Sequence, residues 1–528
     1  MVADDPRIEG VVVTCDHLQA GPARTGDLRA FVDSLRQAGK RVVFHSHTVQ
    51  GREYEIALSA DEILMTPGGR LYLFGYRFEQ YFASSLLDKL GVTAQFVHIG
   101  PFKGSAHRFI HSEAPAPLRL MLEEVVQGLS TIGEERICQA RGIEPSSLEE
   151  SFAAMPIDDH LALYKGWIDG RVQRPDLKRW LQESDAFLDS PHLAKGPGTQ
   201  ERGRHDAAKK AKESDSTAEV DLRDAEAYAA SHPGRVPWSP LFRRPKVIAT
   251  VDLSGMIVMP DMELPGQSLA TIDPSEILPV LTRLQQDRRV AAVVLHINSP
   301  GGSALASELI WDGIRRLRYE KPTIAYCSDI AASGGYYIAV AADCIVCQPD
   351  TITGSIGVIS GKFSLPGALE KLEIGSEAFY RHESSRFQSV AEPLSEEVLA
   401  NLQRDARAFY RQFLRRVGEA RQIPHRRLHR YARGRIYTGE SAHQRFLVDH
   451  LGGFERAVEL ARSAVEPNLS ADTEVVFHSH RATNLAALVR KSAVTTSMLD
   501  ELVAEPALLH AMVRRDPLLA LMPYRADP

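Results

Sequence analysis

The chain has 528 residues, of which 44% are hydrophobic and 25% charged, and its net charge is −6 at pH 7. This length allows two or more domains with their own cores, and the absence of basic blocks argues against nucleic acid as a partner. No apolar run reaches the roughly 20 residues of a membrane span, and the acidic start "MVADDPRIEGVVV" does not resemble a signal peptide, so we expect neither in this sequence.

The cysteines are few and odd in number: Cys15, Cys138, Cys327, Cys344 and Cys347. An odd count argues against a disulfide framework. Cys344 and Cys347 form a lone C-x-x-C in the short apolar segment "DCIVCQP", with no second pair at zinc-finger spacing. We therefore expect structural thiols on a buried strand, and we predict no metal and no cofactor.

The two halves of the chain repeat each other at a constant offset of 282 residues. The segment "EYEIALSADEILMTP" (53–67) corresponds to "GYYIAVAADCIVCQP" (335–349), and "LLDKLGV" (86–92) corresponds to "ALEKLEI" (368–374). This correspondence predicts an internal duplication. The run "KVIATVDL" (246–253) has no counterpart in the first half, so we expect the first repeat to lack its first strand.

Composition predicts four segments along the chain. Residues 1–193 form the first repeat, and residues 246–467 form the second. Residues 194–245 between them are rich in charge, glycine and proline, which is typical of a flexible linker. Residues 468–528 form an extension, and the pattern of 484–524 predicts amphipathic helices that pack on the core or on a neighbouring subunit.

Short apolar runs alternate with helical patterns in the second repeat. This alternation is typical of parallel α/β units with crossover helices. The predicted strands cover 246–253, 291–298, 322–328 and 344–349, and the predicted helices cover 306–318 and 333–342.

Three glycine-containing motifs follow one another: S-P-G-G (299–302), A-S-G-G-Y (332–336) and T-G-S-I-G (353–357). Glycines at a strand-to-helix turn leave backbone N–H groups free to point into a cavity, which suits an oxyanion hole. Each motif alone also fits a tight turn or a helix cap.

Ser333 could be a helix cap or a nucleophile at the start of a helix. As a nucleophile, it would have the N–H of Gly334 beside it, and Gly301 or Gly302 would supply the second oxyanion donor. Ser355 could be a turn residue or a hydrogen-bond partner inside the same site.

Together and in this order, the motifs resemble those of signal peptide peptidase A, or protease IV, in its long two-domain form. The resemblance covers roughly residues 8–193 and 246–467. It implies tandem Clp/crotonase-like domains and a serine endopeptidase with a Ser/Lys dyad that degrades peptides, in particular cleaved signal peptides. It also implies a homo-oligomer resembling a tetrameric ring, located at the bacterial inner membrane or in the periplasm; membrane association rests on the resemblance only.

The resemblance requires a lysine base, and the repeat predicts where it lies. Single-domain members carry this lysine after T-G-S-I-G, but residues 377–395 contain none. The offset places Ser385 on Lys103, where the long form has its base, and places Ser333 on Gly51. The first repeat therefore keeps a lysine without a serine and the second keeps a serine without a lysine, so we expect Lys103 and Ser333 to form one dyad, with the Ser355 hydroxyl orienting the amine.

Two alternatives remain open at this stage. Crotonase-like folds also serve acyl-CoA enzymes, which share the oxyanion hole but use carboxylates as acid and base. The chain could also be an inactive pseudopeptidase that binds peptides or scaffolds an oligomer. A short distance between the Lys103 amine and the Ser333 hydroxyl would favour the peptidase.

Overall fold

The computed structural model of the chain describes residues 2–18, 20–182, 221–225, 228, 246–260, 270–465, 469, 473, 475–478 and 519–521. Almost all of the predicted linker lies outside these residues. Within the described part of the chain, no helix combines the length and the apolar character needed to cross a membrane.

Strands run along the chain in the following order. They are β1 Gly10–Thr14, β2 Arg41–Ser46, β3 Val49–Gln50, β4 Glu62–Met65, β5 Arg70–Tyr72, β6 Thr93–Ile99, β7 Ile157–Asp158, β8 Gly170–Arg171, β9 Val247–Ser254, β10 Met256–Ile257, β11 Thr271–Ile272, β12 Val290–Ser299, β13 Gly301–Ser303, β14 Thr323–Ala332, β15 Cys344–Cys347, β16 Ile352–Gly354, β17 Val358–Ser364, β18 Ile436–Thr438, β19 His450–Leu451, β20 Val475–His478 and β21 Leu519–Leu521.

The α-helices are interspersed with these strands. They are α1 Pro22–Gln37, α2 Gly51–Ala57, α3 Ser84–Leu90, α4 His107–Ile110, α5 Ala116–Arg141, α6 Pro145–Ala153, α7 Asp159–Tyr164, α8 Leu177–Gln182, α9 Pro274–Gln286, α10 Ala304–Glu320, α11 Gly334–Ala339, α12 Pro366–Lys371, α13 Glu396–Arg421, α14 His425–Tyr431, α15 Gly439–His443 and α16 Phe454–Ser463.

The chain divides into two compact units that do not coincide with the two sequence repeats. The first unit consists mainly of Met1–Arg77 and Leu129–Arg243, and the second of Phe78–Gly128 and Arg244–Asp527. Residues 78–128 belong to the first repeat by sequence but fold within the second unit, because β6 pairs along its length with β17. The repeat boundaries predicted from sequence therefore describe the duplication and not the compact units.

The first unit is built on a parallel sheet with strand order β1-β2-β4-β8 among the described residues. A smaller sheet has the order β3-β5-β7, in which β7 is antiparallel to β5. Its apolar core includes Phe44, Tyr54 and Trp167, which are almost completely buried.

The second unit contains two larger sheets. In the first, the strand order is β18-β16-β14-β12-β9-β20, with β15 and β19 extending from β14; the pairs are parallel except for β16 with β18. The second sheet has the order β11-β10-β13-β21-β17-β6. The predicted α/β class with parallel sheets and crossover helices is confirmed.

The helix α10 shows why the predicted elements form where they do. The Ser303 hydroxyl caps its N-terminus by accepting a hydrogen bond from the Ala306 N–H. Ile310, Ile314 and Leu317 follow at helical spacing and are buried against the sheet. This stripe supplies the apolar face that stabilises the crossover between β12 and β14.

The strand β14 is longer than its prediction. It continues past the predicted end at residue 328 to Ala332, because Ile330 and Ala331 pair with β16 after the strand has paired with β15. The extension leads directly to Ser333.

The two repeats preserve the same buried hydrogen bond. In the first, the Tyr54 hydroxyl donates to the Trp167 carbonyl at 2.8 Å. In the second, the Tyr336 hydroxyl donates to the Leu447 carbonyl, also at 2.8 Å. Tyr54 and Tyr336 are 282 positions apart, so the predicted offset relates equivalent residues in space. No counterpart of β9 occurs among the described residues of the first unit.

The predicted helical extension differs from the structure where the structure describes it. Val475–His478 forms a strand that pairs parallel to β9, and Leu519–Leu521 forms another. The segment "VVFH" contains β-branched and aromatic residues, which favour a strand at an open sheet edge. The prediction of amphipathic helices over 484–524 is therefore wrong at 519–521, and the rest of that range lies outside the described residues.

The buried tyrosine hydrogen bond yields a stability prediction. Tyr336→Phe should lower the free energy of unfolding by about 1–3 kcal/mol, because the Leu447 carbonyl loses a buried donor. Urea unfolding followed by circular dichroism measures the change. Tyr319→Phe is the matched control: its side chain is 74% exposed, and the change should stay within about 0.5 kcal/mol. Equal values for the two variants would contradict this account.

Candidate active site

Ser333 lies at the turn between β14 and α11, in a backbone conformation that non-glycine residues rarely adopt. Its φ is 55° and its ψ is −114°, and its side chain is fully buried. The Ser333 N–H donates to the Gly354 carbonyl at 2.8 Å, which fixes the turn against T-G-S-I-G. Strained residues of this kind concentrate at functional sites, since the surrounding structure must hold them in place.

Lys103 extends from the turn after β6 and reaches Ser333. Its Nζ lies 2.6 Å from the Ser333 Oγ, 3.0 Å from the Ser355 Oγ and 3.0 Å from the Ser355 carbonyl oxygen. All three side chains are fully buried. The amine is therefore surrounded by one hydroxyl from A-S-G-G-Y and by two oxygens from T-G-S-I-G.

Burial determines the charge state of this lysine. Desolvation lowers the pKa of the Lys103 amine well below its ordinary value of 10.5. Water is excluded from the amine, and the atoms within hydrogen-bond distance of it are neutral oxygens, so the charged form gains little compensation. The structure thus favours a neutral amine at a pH where exposed lysines are charged.

The Ser355 backbone contributes an acceptor that the sequence did not reveal. Ser355 has a φ of 52°, and its N–H donates to the Arg435 carbonyl at 2.7 Å. This conformation directs its carbonyl oxygen to the Lys103 amine. The sequence analysis expected only the Ser355 hydroxyl at this position, because a sequence pattern does not indicate where a main-chain carbonyl points.

Glycines line the path of the lysine side chain. A Cβ at Gly434 would lie 2.4 Å from the Lys103 backbone nitrogen, and a Cβ at Gly357 would lie 3.1 Å from the Lys103 Cδ. A Cβ at Gly100 would lie 2.1 Å from the Arg433 carbonyl oxygen. Gly434 and Gly100 need glycine because two backbone segments approach closely there, whereas at Gly357 the Lys103 side chain would have to shift slightly. The sequence analysis missed Gly434 and Gly100.

The predicted oxyanion residues lie at two turns next to Ser333. Gly334 is the first residue of α11, and Gly301 and Gly302 begin β13. A Cβ at Gly335 would lie 2.4 Å from the Ser299 carbonyl oxygen, so S-P-G-G and A-S-G-G-Y are in close backbone contact. The Gly301 N–H donates to the Ser299 Oγ at 3.2 Å in this structure.

The cysteine thiols and the possible metal-ligating side chains were also considered as reactive groups. The cysteines are free, and burial raises the pKa of the Cys344 thiol to about 12. Among the residues that the structure describes, no cluster of three or more His, Cys, Asp or Glu side chains is arranged to hold a metal ion.

Comparison with known protein families identifies the class. Residues 34–187 and 315–468 each match the model of peptidase family S49, and together they make up more than half of the chain. Residues 264–348 match the Clp protease model. The duplicated parallel α/β fold is thus Clp-like, and the start points 34 and 315 of the two matches agree with the predicted tandem duplication.

The chain belongs to peptidase family S49, and it is a serine peptidase of that family. It is 26% identical over 497 residues to "Serine protease SPPA, chloroplastic" of Arabidopsis thaliana, covering 92% of this chain and 67% of that protein. It is 28% identical over 482 residues to "Protease 4" of Haemophilus influenzae, covering 89% and 72%, and 27% identical over 462 residues to "Protease 4" of Salmonella typhi, covering 87% and 69%. The resemblance stated from the motifs is confirmed.

The close approach at Gly434 yields a test of the site geometry. Gly434→Ala should reduce kcat/KM for peptide hydrolysis by about 100-fold or more, because the added methyl group displaces the Lys103 backbone at a position with φ of 85°. Gly375→Ala is the control, since a Cβ there meets no atom within 4 Å. Activity of Gly434→Ala within about twofold of the control would contradict the proposed geometry.

Proposed function

We propose that this chain is a serine endopeptidase in which Ser333 is the nucleophile and Lys103 is the general base. The single observation that carries this proposal is the 2.6 Å distance between the Lys103 Nζ and the Ser333 Oγ, inside a pocket that desolvates the amine. The S49 family membership independently supports a hydrolytic nucleophile.

The hydrogen-bond pattern fits a neutral amine. A neutral lysine has two N–H donors and one lone pair, and Lys103 has three oxygen neighbours. The Ser355 carbonyl can only accept, and the Ser355 hydroxyl can accept as well. If these two oxygens take both N–H donors, the lone pair is left for the Ser333 hydroxyl, which then donates its proton to Nζ.

The catalytic cycle follows from this arrangement. Ser333 Oγ attacks a peptide carbonyl carbon while Lys103 takes the hydroxyl proton. The Gly334 N–H, with that of Gly301 or Gly302, holds the oxyanion of the tetrahedral intermediate. Lys103 then gives its proton to the leaving amine, and the C–N bond breaks to leave an acyl ester on Ser333.

Deacylation uses the same base. After the new amine leaves, Lys103 is neutral again and can take a proton from a water molecule that attacks the ester. The second tetrahedral intermediate collapses with return of the proton to Ser333 Oγ. Ser355 orients the amine in both half-reactions, which makes it a positioning residue.

The substrate class, location and assembly rest on the resemblance. We propose extended peptides as substrates, with cleaved signal peptides as the physiological class, because the motifs resemble signal peptide peptidase A. The same resemblance supports a bacterial inner-membrane or periplasmic location and a homo-oligomeric ring. Two relatives that cover most of this chain carry the name "Protease 4".

The alternatives from the sequence gain no support. The family match over both repeats is to peptidases, so an acyl-CoA enzyme has no observation in its favour. A pseudopeptidase would require a damaged site, whereas serine, lysine and the supporting serine lie within hydrogen-bond distance. Covalent labelling of Ser333 by a serine-directed phosphonate distinguishes an active from an inactive site.

Substitution of the dyad gives the first functional prediction. Ser333→Ala and Lys103→Met should each reduce kcat for peptide hydrolysis by about 10³-fold or more, since the nucleophile and its base act as a unit. Circular dichroism should show an unchanged fold.

The controls are a buried serine and a buried lysine elsewhere in the same unit. Ser328→Ala removes a buried hydroxyl on β14, and Lys321→Met removes an amine that donates to the Asp287 and Val290 carbonyls. Both should retain kcat within about fivefold. Peptidase activity that persists in Lys103→Met would rule out the assignment of the base.

The pH dependence gives the second functional prediction. Lys103 works only when neutral, so kcat/KM should rise with pH until the amine is deprotonated and then remain level. Because burial lowers the Lys103 pKa, the midpoint should lie well below 10.5. Burial and its histidine neighbours lower the pKa of His107 to about 4, so a rise of the rate around that pH would report His107 and not the lysine. A rate that falls with rising pH would contradict the mechanism.

A further inference from the structure

Two histidine side chains meet beside the turn that carries Lys103. His98 lies on β6, shortly before Lys103, and His107 is the first residue of α4, shortly after it. Their Nε2 atoms are 3.4 Å apart, and their rings meet edge to face with a centroid separation of 4.8 Å. His107 is almost completely buried, whereas His98 is partly exposed, so the pair lies close to the protein surface.

The separation of the two nitrogens fits a shared metal ion better than a hydrogen bond. Hydrogen bonds from N–H donors in proteins span about 2.7–3.2 Å, so the observed 3.4 Å is long for one. Two nitrogens that bind one Zn²⁺ ion at about 2.0–2.1 Å with a tetrahedral angle between them lie about 3.3–3.4 Å apart. The Nε2 atoms of His98 and His107 therefore have the spacing of two ligands on one ion.

The second ring nitrogen of His98 has the partner that is typical of a metal-bound histidine. The Nδ1 atom lies 3.0 Å from the Gly100 carbonyl oxygen, which can only accept, so Nδ1 carries the proton. A neutral His98 then has its lone pair on Nε2, the atom that faces His107. Histidines that bind metals almost always donate their other N–H to a carbonyl, carboxylate or water, which fixes the orientation of the ring.

The ligand set determines which ions the pair can bind. Within the described part of the chain, no three His, Cys, Asp or Glu side chains are arranged around one ion, so the protein supplies two ligands and water fills the other positions. His111 follows at the end of α4 with its ring centroid 5.1 Å from that of His107, but its side chain is exposed. Imidazole nitrogens favour zinc, copper and nickel, whereas magnesium and calcium require oxygen ligands.

We propose that His98 and His107 bind a divalent transition-metal ion such as Zn²⁺ through their Nε2 atoms. The ion connects β6 to α4 across the turn that holds Lys103, so its binding restrains that turn. The site is separate from the proposed dyad, because the oxygens that surround the Lys103 amine provide none of its ligands. The sequence analysis, which predicted no metal from the cysteine spacing, did not consider these histidines.

Titration calorimetry of the full chain with Zn²⁺ near neutral pH tests the site. His98→Gln and His107→Gln should each weaken the binding of one Zn²⁺ equivalent by about 100-fold or more, because half of the protein ligands are lost. The control is His425→Gln, which alters a stacked histidine pair on α14 and should retain this equivalent. Failure of the parent chain to bind Zn²⁺ would overturn the proposal, and so would unchanged binding by His98→Gln.

Hydrogen exchange followed by mass spectrometry tests the restraint on the turn. At a Zn²⁺ concentration about ten times the dissociation constant, openings that break the site should become about tenfold rarer, so amide exchange in residues 98–111 should slow by about that factor. In His98→Gln, added Zn²⁺ should leave this exchange unchanged, and residues 41–46 of β2 serve as the internal control in both proteins. Equal slowing in His98→Gln and the parent would overturn the proposal. Neither measurement uses peptide hydrolysis, so failure of the endopeptidase assignment would leave this result intact.

Discussion

The proposed chemistry depends on keeping the Lys103 amine away from water and from acidic partners. Among the residues that the structure describes, the atoms within hydrogen-bond distance of Nζ are the Ser333 Oγ and two oxygens of Ser355, all neutral. A carboxylate there would stabilise the charged amine and remove its basicity. Gly434 packs against the Lys103 backbone and Gly357 packs against its side chain. This close packing excludes water from the amine, and the exclusion of water lowers the pKa of the amine.

Duplication explains how this enclosure is assembled. The lysine belongs to one repeat and the serine to the other, yet both lie in one compact unit because residues 78–128 fold with the second repeat. The seven-residue pairing of β6 with β17 carries this exchange. Gly51 stands where the offset places Ser333, and Ser385 stands where it places Lys103, so each repeat carries one member of the pair.

The sequence predicted the parts of the site that depend on local pattern and on the repeat. Ser333 followed from its glycine-rich turn together with the family resemblance of the three motifs, and Lys103 followed from the dyad that this resemblance implies and from the repeat offset. The Ser355 carbonyl and Gly434 could not be predicted, because their roles arise from main-chain direction and from segments that are distant in sequence. The end of the C-terminal extension was predicted as helix, since an amphipathic pattern does not indicate an open edge between β13 and β17 that favours a strand at 519–521.

The most direct test of the central claim is the pKa of Lys103 in the intact protein. NMR of lysines labelled with ¹³C at Cε and ¹⁵N at Nζ, recorded against pH, should reveal one amine that titrates well below 10.5 and is absent from Lys103→Met. Lys362, whose pKa burial lowers to about 8, is assigned separately with Lys362→Met. A Lys103 signal that titrates near the ordinary lysine value would contradict the account, since a charged amine has no lone pair for the Ser333 proton.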